Sequence, residues 1–140
     1  MPLEKQVCSL ELAKKLKELG VEQDSLFWWD DHSELGMGEI VSFDEPDNPI
    51  CSAFTVAELG EMLPREFDYL ASTTEHSGYE GRRSVWLTIG RTIIDDGWYV
   101  LYSDPHPANK VPVYSTHSTT ETDARAKMLI YLIENNLVTL

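Results

Sequence analysis

Ser84-Val-Trp-Leu-Thr-Ile-Gly90, Trp98-Tyr-Val-Leu-Tyr102 and Val111-Pro-Val-Tyr114, followed by an apolar run from Ala124 to Leu137, decide how this chain is read. The first three pieces are short, β-branched and aromatic, the composition of a half-buried pleated surface. Asp95-Asp96-Gly97 supplies an Asp-Gly turn signal between the first two, so they read as a hairpin. Pro112 cannot donate to a ladder, which places the third piece on a sheet edge. The final run has helical spacing and opens at Thr120-Glu-Thr-Asp123, an acid-rich first turn under a threonine cap. Together these predict an antiparallel meander with a closing helix on one face.

The helix should be buried on more than one side. Ala124, Met128, Tyr131 and Leu132 form one stripe, while Leu129, Ile130 and Ile133 make its second half apolar nearly all round. Glu121–Arg125 and Asp123–Lys127 are acid-before-base pairs at i, i+4, each worth about 0.2–0.5 kcal/mol. Asn135-Asn136 provides the stop, with Leu137-Val138 folding back.

Working toward the N-terminus, Thr55-Val-Ala-Glu58 matches a capping box. Val56, Leu59, Met62 and Leu63 then form an apolar face that Pro64 terminates. Ser9 reads as the cap of a first helix whose stripe is Leu12, Ala13, Leu16 and Leu19, closed by Gly20-Val21. Ser25-Leu-Phe-Trp-Trp29 reads as a strand, with Gly36-Met-Gly38 as a turn and Glu39-Ile-Val-Ser-Phe43 as its returning partner. Asp44 to Pro49 reads as a loop, Ile50 to Phe54 and Phe67 to Ser72 as extended pieces, and Glu75 to Arg83 as a loop. The fold class is therefore α+β: residues 1–140 form a single domain. A mainly antiparallel sheet of four to six strands is packed by helices near 9–19, 55–63 and 120–136.

Composition narrows function mainly by exclusion. The 140 residues carry 24 acids against 11 bases, a net charge of −13. The imbalance is lopsided: residues 1–70 hold 16 acids and 5 bases, and no Lys or Arg occurs between Lys17 and Arg65. Such a surface repels phosphate backbones and anionic membranes, so no direct nucleic-acid or membrane partner is expected. No apolar run reaches the ~20 residues of a membrane span, and no signal-peptide pattern opens the chain, so the expected location is the cytoplasm. Cys8 and Cys51 are then reduced thiols.

Ser9 to Val21, Ala53 to Pro64 and Asp123 to Asn135 together resemble a family of small phage- and prophage-encoded proteins without an assigned activity. The resemblance lies in the three helices, about a third of the chain. It implies an accessory gene of a mobile element, with no catalytic or ligand residues to carry over.

Trp28-Trp29-Asp30-Asp31-His32 is the most chemically suggestive cluster. Two carboxylates and an imidazole are hard and borderline metal ligands, to be completed by Asp95, Asp96, Asp104, His106 or His117. Strand alternation sends Asp30 and Asp31 to opposite faces, however, and a strand end entering a solvated turn accounts for the cluster more simply. Asp95-Asp96 reads as turn chemistry, and no sequence-local nucleophile, phosphate cradle or cofactor motif is present. Trp28, Trp86, Trp98, Tyr99 and Tyr102 could stack bases, but no basic groove accompanies them. Alternation puts Trp98, Val100 and Tyr102 on one face and Tyr99 with Leu101 on the other. The closing order of helix, strands and helix is that of double-stranded-RNA-binding domains, yet Glu121 and Asp123 stand where those proteins need bases.

The expected function is thus non-enzymatic: an accessory protein that binds an unknown protein partner. Leu129, Ile130, Tyr131 and Ile133 are the candidate interface, possible as a homodimer seam, and no cofactor is implied. Two alternatives stand beside it. One is an acidic DNA mimic that inhibits a host DNA-binding protein through residues 22–68; the other is a metal-dependent hydrolase using Asp30, Asp31 and His32.

Overall fold

The computed structural model describes residues 1–31, 38–42, 44, 48–71, 81–104 and 114–139. A 3-10 turn at Leu3–Lys5 precedes α1 (Leu10–Glu18), and β1 (Phe27–Asp30), β2 (Glu39–Ser42) and β3 (Pro49–Ser52) follow. Then come α2 (Val56–Met62), β4 (Glu66–Ala71), β5 (Gly81–Arg91), β6 (Trp98–Ser103), β7 (Tyr114–Ser118) and α3 (Glu121–Glu134). The chain is α+β. Its strands, all paired antiparallel, form a three-stranded sheet in the order β2-β1-β3 and a four-stranded sheet in the order β4-β5-β6-β7.

The predicted three-piece meander is β5-β6-β7, which β4 extends to four strands, and α3 closes it by packing on β6 and β7. Val85, Val100 and Tyr102 point toward the helix and are fully buried, as are Met128, Leu129 and Leu132 from above. The opposite face of this sheet holds Trp86, 53% exposed. Tyr102 is anchored at both ends. Its ring meets Phe67 edge-on at 4.8 Å, and its hydroxyl donates to the Pro64 carbonyl at 2.6 Å. α3 also touches α1 and α2, and α1 in turn rests on β3, so the helices lie between the two sheets' buried faces. Two bonds stitch the N-terminal segment to the start of α3. Ser9 N–H donates to Asp123 Oδ1 at 2.8 Å, and Thr122 Oγ1 donates to the Val7 carbonyl at 3.2 Å.

Several local expectations are met as written. Thr55 and Glu58 form the reciprocal capping box, and Thr120 caps α3 through Asp123 N–H at 3.2 Å. Gly20, at φ 91°, ends α1 with Val21 N–H returning to the Leu16 carbonyl at 3.1 Å. Asn136, at φ 56°, plays the same part for α3, with Leu137 N–H donating to the Leu132 carbonyl at 2.8 Å.

Other expectations are corrected. Among the described residues seven strands make two antiparallel sheets, one of them four-stranded, where a single sheet of four to six was expected. Phe27 to Ser52 builds a small sheet of its own because β1 finds partners on both sides within the next 22 residues. β5 starts at Gly81 rather than Ser84: backbone pairing of 81–83 with Tyr69–Ala71 overrides the loop reading. The last strand runs Tyr114–Ser118. It is an edge strand as predicted, although Val111-Pro112-Val113 lie outside the described residues. Ser9 is the N-cap residue of α1 as expected, but its side chain makes no cap bond, and its amide donates to Asp123. Asp123 does not pair with Lys127, which donates to the His117 carbonyl at 3.0 Å. Tyr131, assigned to the buried stripe, is 38% exposed, and its ring meets Tyr114 at 4.9 Å with a tilt of 50°.

Candidate functional site

The helix starts of α1, α2 and α3 gather at one end of the molecule, each for a local reason. Thr55 and Thr120 supply oxygens to their own first turns, and the Ser9 amide is drawn to Asp123 on α3. Glu58 does more than close its capping box. Its carboxylate accepts from Thr55 N–H at 2.7 Å, from Ser25 Oγ at 3.0 Å and from Leu26 N–H at 2.9 Å. One side chain therefore locks the entry of β1 against the start of α2. Glu121 forms the predicted pair with Arg125 through two contacts, at 2.5 and 3.1 Å.

Between the starts of α2 and α3 and the N-terminal segment opens a cleft of about 300 Å³, at the small end of the range typical of ligand pockets. Phe27, Val56, Ala57 and Trp98 form its walls, and Lys5 and Thr119 stand among its polar lining. Glu121 also lines it, beside the capping residues Thr55 and Thr120. The walls are apolar, and the polar lining carries charge of both signs.

Next to it, the β5–β6 hairpin ends in a turn whose two apolar residues are bare. Ile93 and Ile94 are 101% and 99% exposed, although isoleucine is among the residues most often buried. The turn beneath them is fixed. Thr92 Oγ1 donates to Asp95 Oδ1 and accepts from Gly97 N–H at 3.0 Å, while Thr92 N–H donates to the Gly97 carbonyl at 2.9 Å. Asp96, in the left-handed region at φ 53°, pairs with Arg91. Gly97 permits close approach of β7: a Cβ there would lie 3.0 Å from the Ser118 carbonyl oxygen. His117 on β7 reaches Asp95 at 3.3 Å. The Thr92 hydroxyl, helped by Gly97 N–H and His117, holds the Asp95 carboxyl below the usual carboxylate range.

The residues singled out from sequence fare differently. Asp30 is fully buried and accepts from Asn48 N–H at 3.1 and 3.3 Å, closing the loop into β3. Asp31 lies just past the end of β1 and is exposed, and its backbone pairs with Asn48. His32 and His106 lie outside the described residues. Among the described residues, no group of three or more His, Cys, Asp and Glu side chains is arranged to hold a metal ion. Asp95 and His117 do come together, as a turn lock. Leu129 is spent entirely in the chain's own core, and Ile130 and Ile133 pack partly against it. Trp98 and Tyr102 face the helix, as alternation predicts.

Ile93 and Ile94 escaped the sequence reading because Thr-Ile-Ile looks like more strand. The signal was present: an aliphatic pair directly before Asp-Asp-Gly falls inside the turn once Thr92 pairs with Gly97. The cleft, assembled from segments far apart in sequence, left no local mark. No family model, curated protein or solved structure matches this chain.

Proposed function

We propose that this chain is a non-enzymatic accessory protein of the phage or prophage type that works in the cytoplasm by binding another protein. The observation that carries the reading is the Ile93–Ile94 pair, bare on a turn held by four hydrogen bonds and a salt bridge. An aliphatic knob on a pre-organised turn loses little freedom when it is covered, which is the condition for spending apolar area on affinity. Two buried free thiols accord with a reducing compartment, and no described helix is long and apolar enough to cross a membrane. Burial raises the Cys8 thiol to about 12 and also raises Cys51, so neither supplies a thiolate nucleophile at neutral pH.

The alternatives draw less support. An acidic mimic loses Asp30 and Glu58 to bonds within the fold, although Glu22, Asp31, Glu61 and Asp68 among others stay exposed. A hydrolase at Asp30 and Asp31 would need both carboxylates on one face, and Asp30 already caps a loop.

The test is affinity capture with the intact chain and with an Ile93→Asn/Ile94→Asn variant, compared by quantitative mass spectrometry. The reading expects an associated protein, whether a copy of this chain or another, that is depleted about tenfold or more on the variant. Equal recovery on both baits would contradict it.

A further inference from the structure

We draw no further inference here: the strongest candidate, the bare Ile93–Ile94 turn of the β5–β6 hairpin beside the Trp98-walled cleft, belongs to the protein-binding reading already given, and nothing in the structure shows what covers the turn or fills the cleft.

Discussion

Cys8 sits at the junction of α1, β1 and β3, fully buried, with its carbonyl accepting from Trp29 Nε1–H at 3.0 Å. Desolvation raises its thiol from 9.0 to about 12. The group keeps its proton in the fold and releases it near 9 once unfolded. Between pH 9 and 12 the unfolded chain therefore binds fewer protons, and stability declines as pH rises through that window. Below pH 9 both states are protonated and the thiol contributes no pH dependence. We expect urea midpoints measured from pH 8 to 11 to fall more steeply for the wild type than for Cys8→Ala. The alanine variant starts lower because of its cavity, and equal slopes would contradict the assignment. Tyr102, also raised by burial, acts in the same direction at higher pH.

Elements are set by a few side chains that satisfy backbone groups at their ends. Glu58 is the clearest, since it serves α2 and β1 at once. Glu58→Ala leaves the Thr55 and Leu26 amides without their acceptor, and we expect a loss of about 1–3 kcal/mol by urea denaturation. Leu59→Ile, which keeps the cap, tests packing separately. An effect of Glu58→Ala within experimental error would show that water replaces the carboxylate at no cost. Such caps were legible in the sequence because they are local: Thr55 and Glu58, Thr120 and Asp123, Gly20 and Asn136 all lie within one helical turn of what they serve. Ser9 does stand at the N-cap of α1, but the bond its amide makes was hidden for the opposite reason. Its partner is Asp123, more than a hundred residues away, and no spacing rule reaches that far. The split into two sheets was equally hidden, since period-2 alternation in β1 to β3 shows that strands exist but not whom they join. The candidate site divides along the same line. The Asp-Gly hairpin turn could be read, whereas a cleft built from Lys5, Phe27, Val56, Trp98 and Thr119 could not.

At the scale of the whole molecule, α3 is the shared member. It covers the four-stranded sheet, contacts α1 and α2, and holds the N-terminal segment through Thr122 and Asp123. The three-stranded sheet is tied to this unit through α1, where Lys17 Nζ donates to the Ile50 carbonyl at 2.8 Å, and through the Trp29–Cys8 bond. Both the cleft and the knob depend on this arrangement, because Trp98, Thr119 and Lys5 meet only if helix, sheet and N-terminal segment dock together. The most direct measurement is native-state hydrogen exchange as a function of denaturant, on the wild type and on Met128→Ala, a truncation expected to cost about 2–5 kcal/mol. If α3 seals one core, the amides of Trp29 in β1, Val100 in β6 and Leu132 in α3 exchange through the same global opening, and Met128→Ala lowers all three protections equally. Exchange of Trp29 by a separate, lower-energy opening that Met128→Ala leaves unchanged would contradict it.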